Sequence, residues 1–233
     1  MNILYVIPAR GGSKGIPHKN IKKLNGKPLI HYSIEIALAL TSNENICVTT
    51  DDEDISRVAS DAGVTVPFKR PSELATDAAS MQDVLEHAVS YYEKSGKVYD
   101  IVVLLQPTSP FRTQEDVKLA LSAYKPDLDM VMSVVETKAN PYYVLFEETD
   151  GLLFKSKEGN FQTRQSAPKV YQANGAVYVI NAKALKEKTM KNFTRIKKIV
   201  MEEVRSVDID TPLDWDYSEF LIARGYFKGI NKN

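Results

Sequence analysis

The feature that most constrains the fold of this chain is a recurrence of short, continuous apolar runs, each ending in a polar loop and followed by a stretch with helical period. Residues 3–7, 45–50, 101–105 and 130–135 have the length and the β-branched content of strands buried on both faces. Between them, Leu29, Ile30, Ile34, Ala37 and Leu38, and then Ile55, Val58, Ala59 and Ala62, recur at helical spacing, with Gly63 as a stop. Ser80 with Asp83, and Thr113 with Asp116, have the spacing of a capping box ahead of further helices. This alternation predicts an α/β fold with a mostly parallel sheet and flanking helices.

From residue 138 to 169 the pattern changes to hairpins. Strands are expected over 142–146 and 152–157, with turns at Thr149-Asp150-Gly151 and Glu158-Gly159-Asn160. Residues 171–180 return the chain to the sheet, and a helix over 213–224 closes it. A chain of 233 residues accommodates one such domain, made of 1–137 and 170–233, with a β-rich insertion over 138–169.

The chemistry begins where Pro8 ends the first strand. Gly11, Gly12 and Gly15 allow a tight loop that carries Arg10, Lys14 and Lys19, at the strand edge where α/β sheets bind ligands. Such a loop suits a polyanion. It is not a P-loop, because neither Gly11 nor Gly12 is followed by four residues and Gly-Lys-Ser/Thr, and the three-glycine dinucleotide spacing is absent. The 30 basic and 30 acidic residues balance, so nothing in the overall charge draws in nucleic acid or an anionic membrane. Any anion site is local.

Asp208 and Asp210 lie two apart; on an extended backbone they face one side and suit a single hard cation. Asp210 also stands where it would cap a helix starting at Thr211 to Leu213. The lone Cys47 excludes an intrachain disulfide and a cysteine zinc site, and reads as a buried thiol. The opening apolar run is too short for a membrane span and has no basic leader, so a cytoplasmic protein is expected.

The string Ala9-Arg10-Gly11-Gly12-Ser13-Lys14, continued by Lys19-Asn20, resembles the N-terminal signature of the acylneuraminate cytidylyltransferases, the CMP-sialic acid synthetases. Three further strings resemble that family: Gln106-Pro107-Thr108-Ser109-Pro110-Phe111-Arg112, Asn174-Gly175-Ala176-Val177-Tyr178 and Val207-Asp208-Ile209-Asp210-Thr211-Pro212. The resemblance implies a Rossmann-like, three-layer nucleotidyltransferase fold whose β-rich insertion makes a homodimer contact. It implies transfer from CTP to a nine-carbon 2-keto sugar acid, N-acetylneuraminate or a close relative, with release of pyrophosphate.

Catalysis is then assigned by resemblance to Arg10, Lys14, Lys19, Asp208 and Asp210, with Mg²⁺ held by the two aspartates. Ala9 and the amides of Gly11, Gly12 and Ser13 cradle the phosphates, Asn20 meets phosphate and ribose, and Arg70, Ala79 and Ser80 line the cytosine and ribose pocket. Ser80 reads equally well as a helix cap. Gln106, Arg164, Asn174, Tyr178 and Phe193 are assigned to the sugar acid, Phe193 being the single counterpart of the family's N-acyl aromatics. Lys138 is a second candidate for the sugar carboxylate, and Arg112 reads as structural. KDN, legionaminic and pseudaminic acids are alternative acceptors, whereas the eight-carbon Kdo enzyme lacks the Ser-Lys and Lys-Asn pattern. The reading from another class is a catalytically silent, dimeric nucleotide-binding module. His18, His31 and His87 have no evident partner, so no general base is assigned.

Overall fold

The computed structural model describes residues 1–161 and 163–227, with Arg164 described by its backbone alone. Strand β1 (Ile3–Pro8) leads through a loop and a two-residue ribbon, β2 (Lys23–Leu24) with β3 (Lys27–Pro28), into α1 (Leu29–Leu40). Then come β4 (Ile46–Thr49), α2 (Glu53–Asp61), α3 (Met81–Lys94), β5 (Ile101–Leu104), α4 (Gln114–Ala123) and β6 (Met130–Glu136). A hairpin of β7 (Phe146–Thr149) and β8 (Leu152–Lys155) precedes β9 (Tyr171–Asn181), α5 (Ala182–Glu187), β10 (Ile196–Val200) and α6 (Pro212–Ala223).

Six strands form one sheet in the order β10-β6-β9-β5-β1-β4. All are parallel except β9, which runs antiparallel between β5 and β6. The continuous apolar runs follow from burial on both faces. Tyr5 and Ile7 of β1 pack with Ile34, Ala37 and Ile55 on one side, while Leu4 and Val6 pack with Leu85, Ala88 and Val89 of α3 on the other. Cys47 is buried on the α3 side, where burial pushes its thiol up to about 12 and leaves it inert.

Both expected capping boxes form, at Ser80 with Asp83 and at Thr113 with Asp116. A third forms at α6, where Thr211 is the cap and Asp214 closes the box. The side chain of Asp210 is therefore not the cap and is left for other work.

The insertion is simpler than its sequence suggests. β7 and β8 pair only with each other, across a turn in which Asp150 and Gly151 both have positive φ, the geometry that matches strand twist. Residues 142–145 form turn and coil rather than strand, and among the described residues no strand lies between the expected turn at 158–160 and β9. The short α5 and β10 were not expected from sequence; β10 interleaves Lys197 and Lys198 with its apolar residues and lies at the sheet edge. Among the described residues no helix is long and apolar enough to cross a membrane.

Candidate active site

The carboxyl ends of β1, β4 and β5 open onto a cleft of about 350 Å³. Four sequence segments meet there: the cation loop with Arg10, Lys14, Lys19 and Asn20; Arg70 after β4; Gln106 to Thr108 after β5; and Asp208 with Asp210. The loop is held from behind. Ala9 is buried and donates its amide to Thr49 O, Gly11 N donates to Asp51 Oδ1 at 3.0 Å, and Asn20 Nδ2 donates to Arg10 O at 3.0 Å. A Cβ on Gly11 would lie 2.6 Å from Asp52 Oδ2, so only glycine allows this approach. Ser13 N donates to Gly11 O, so the amides of Gly11 and Ser13, expected to face a polyanion, are bonded within the protein.

The three cations are placed differently. Arg10 Nη1 and Lys14 Nζ both pair with the carboxylate of Asp77, Arg10 at 2.8 Å. Those two partners, Lys14 first, hold the Asp77 carboxyl below the usual range. Asp77 heads the Asp-x-Ala-Ser string whose Ala79 and Ser80 were assigned by resemblance, and it was itself given no role. Lys19 is 12% exposed, against 82% for Lys14, and donates to Ile209 O at 2.7 Å and to Asp210 Oδ1 at 2.9 Å. It thus ties the cation loop to the aspartate pair. Gly15 packs on the same segment so closely that a Cβ would lie 2.2 Å from Asp210 O.

On the side assigned to the nucleoside, Arg70 is buried and donates from Nε to Thr49 Oγ1 and from Nη2 to Thr49 O, which fixes it at the end of β4. Ser80 spends its hydroxyl on the α3 capping box, and Ala79 sits in the turn before it. Met81, the first residue of α3, reaches the cleft wall instead.

The aspartates are held by their neighbours. Ile209 N donates to Thr108 O at 2.8 Å, and the Thr108 hydroxyl bonds the Asp208 carboxylate. Burial, and to a lesser degree the charge of Asp210, push the Asp208 carboxyl up. Asp210 N and Thr211 N both donate to Asp214 Oδ2, at 3.1 and 2.8 Å. Gly175 has φ +73°, and a Cβ there would lie 2.8 Å from Gln106 Oε1 and 3.4 Å from Asp208 Oδ2. Gln106 and Asp208 therefore converge over Gly175. Tyr178 lies against the same backbone, and burial together with the Asp208 charge raises its phenol.

Two of the residues assigned to the sugar acid do not face the cleft. Phe193 is a core residue: it packs with Met130, Ile180 and Leu185, at the opposite edge of the sheet from the cation loop. The reason is that β9 runs antiparallel, so the chain leaving its end emerges beside the starts of β5 and β6. Asn174 adjoins the cleft but is buried, and its amide is bonded to protein groups. The side chain of Arg164 lies outside the described residues. Arg112 is fully buried, bonding Ala176 O, Gln106 O and Ser33 Oγ, a structural role as expected.

Known proteins resemble this chain in sequence and in fold. The family profile described as Cytidylyltransferase matches residues 4–219. Over 226 residues the chain is 35% identical to the CMP-N,N'-diacetyllegionaminic acid synthase of Legionella pneumophila, covering 95% of this chain and 97% of that one. It is 35% identical over 219 residues to the N-acylneuraminate cytidylyltransferase of Escherichia coli, covering 92% of this chain and 50% of that longer protein. The solved structure of CMP:2-keto-3-deoxy-manno-octonic acid synthetase complexed with CTP superposes with a TM-score of 0.70, over 96% of this chain and 99% of that one, at 20% identity, a likeness of fold. Matched from its first strand into its last helix, the chain belongs to the cytidylyltransferase family.

Proposed function

We propose that this protein transfers CMP from CTP to a nine-carbon 2-keto sugar acid, releasing pyrophosphate, in the cytoplasm. The observation that carries the reading is the meeting of the cation loop, the Gln106 loop and the aspartate pair in one cleft, though they are far apart in sequence. The anomeric hydroxyl attacks the α-phosphorus in line; its oxygen bonds phosphorus as the bond to the β-phosphate oxygen breaks. Charge grows on the leaving pyrophosphate, so catalysis is positioning and charge stabilisation. Arg10 and Lys14 meet that charge after giving up Asp77. Arg70 and the adjoining start of α3 bound the nucleoside, and Gln106 with Tyr178 faces the acceptor.

Asp208 and Asp210 offer the hard oxygen donors that Mg²⁺ prefers. Among the described residues no group of three or more acids, histidines or cysteines is placed to hold a metal, so substrate oxygens and water would supply the remaining ligands. Mg²⁺ held there supplies charge neutralisation at the α-phosphate and makes the attacking hydroxyl more acidic.

The burial of Phe193 removes the one aromatic assigned to an N-acetylneuraminate acyl group. Separately, the full-length likeness to a legionaminate enzyme favours legionaminic acid among the candidate acceptors. Pyrophosphate release should be measured with Mg²⁺ across the four nucleoside triphosphates and with N-acetylneuraminate, KDN, legionaminate, pseudaminate and Kdo. Release that requires CTP and one nine-carbon acid is expected. CTP binding without release for any pair would instead make the protein a silent binding module.

A second copy of the chain is the partner proposed for the insertion. Phe146, Leu152, Leu153 and Phe154 stand exposed on the hairpin, an apolar surface that association would cover. Leu153→Asp should convert a sedimenting dimer to a monomer. A parent protein that sediments as a monomer would remove this reading.

A further inference from the structure

The pairing of β9 with β6 contains an irregularity at the edge of the cleft. Met132 is opposite Tyr178 and Val134 is opposite Ala173, so four residues of β9, Asn174 to Val177, face the single residue Ser133. The extra residues form a bulge, and bulges re-aim backbone beside functional sites. Here the bulge carries Gly175 into its positive-φ conformation beneath Gln106 and Asp208.

The polar groups that the bulge removes from the ladder are bonded through side chains. Val177 N donates to Ser133 Oγ at 2.8 Å, and Ser133 Oγ donates to Asn174 Oδ1 at 2.6 Å. Ala176 N donates to the same Oδ1 at 3.2 Å. From the other end of the amide, Asn174 Nδ2 donates to Ser206 Oγ at 2.9 Å and lies 3.4 Å from Met201 Sδ. Ser206 Oγ in turn donates to Glu202 O.

A primary amide has two acceptor and two donor places, and each of those in Asn174 has a protein partner. It has none left for a substrate. We infer that Asn174 is a positioning residue, joining β6 and the β9 bulge to the segment at Ser206 that delivers Asp208 two residues later. The resemblance to known cytidylyltransferases had assigned it to the sugar acid. Its filled amide and its burial at 4% exposed decide for the network. The inference rests on the reading of Asp208 as a metal ligand, because that carboxylate is what the network places.

Asn174→Asp keeps the acceptor for Ser133 and Ala176 and loses the donor to Ser206. Its kcat should fall by about 10²-fold, with the KM for the sugar acid within about threefold of the parent. Ser206→Ala should lower kcat by about tenfold. Ser206→Thr, which keeps the hydroxyl, should restore it. Hydrogen exchange supplies a readout independent of turnover: the Ile209 amide, bonded to Thr108 O, should exchange faster in Asn174→Asp and Ser206→Ala than in the parent. A raised sugar-acid KM in Asn174→Asp, with kcat and Ile209 exchange unchanged, would make Asn174 a substrate contact and overturn the inference. A Ser206→Ala variant equal to the parent in both kcat and exchange would also overturn it. If the parent turns over no acid at all, the proposed function fails, and Ile209 exchange in the variants still decides the coupling.

Discussion

Arg10→Ala is expected to lower CTP turnover by roughly 10³-fold or more, the scale seen when a charge-stabilising arginine is removed from phosphoryl transfer. Three features of the structure support so large an effect. Arg10 lines the cleft with its backbone carbonyl held by Asn20, so the residue's backbone is placed before any nucleotide arrives. It is already paired with an anionic oxygen, Asp77 Oδ1 at 2.8 Å, which shows that its reach and direction suit a phosphate oxygen. Lys14 shares that partner but is far more exposed, and a lysine presents a point charge rather than a fork. Arg10→Lys should therefore recover only part of the loss. The measurement is steady-state pyrophosphate release with the melting temperature as a control; turnover within about tenfold of the parent in a folded variant would remove Arg10 from the mechanism.

The second large effect is expected at the aspartate pair. Asp208→Asn preserves shape and the bond from Thr108 but removes the charge that a hard cation requires. Turnover should fall by roughly 10³-fold, equivalent to about 4 kcal/mol of transition-state stabilisation. Calorimetry should show CTP binding largely kept, because Arg10, Lys14 and Arg70 are untouched. Asp210→Asn should behave similarly in turnover, and it additionally breaks the ion pair with Lys19, loosening the tie between the cation loop and this segment. A variant of either residue that keeps the parent's Mg²⁺ dependence would sink the metal-ligand assignment for that residue.

Much of the scaffold was legible in the chain. Continuous apolar runs at β1, β4, β5 and β6 appear because those strands are covered on both faces, and the two capping boxes are local hydrogen-bond patterns within four residues. The cation loop was legible for the same reason: its glycines and charges are close in sequence and follow a strand end. The insertion was only partly legible. Its tight Asp150-Gly151 turn is a local signal, whereas the strand expected from residue 142 begins at Phe146 because no neighbouring strand pairs the residues before it.

The misplaced assignments share one cause. Asn174-Gly175 reads in isolation as a hairpin turn, but it lies inside a long strand as a bulge, because Ser133 on the neighbouring strand fills the gap. Phe193 was assigned as the counterpart of the family's N-acyl aromatics, yet the antiparallel course of β9 carries it to the ends of the strands opposite the cation loop.

The amino-acid order alone determined the core strands, most of the helices, two of their caps, the family motifs and the charges available to a nucleotide, because period, turn chemistry and spacing act over a few residues. Only the tertiary structure decided which of those groups meet. Lys19 finds Asp210 across 191 positions, Asn174 finds Ser133 and Ser206 across 41 and 32, and Asp77 settles between Arg10 and Lys14. The physical reason is that a polar side chain acts through whatever bonding places its neighbours leave unfilled. Strand order and loop packing set those neighbours, and local sequence does not encode them.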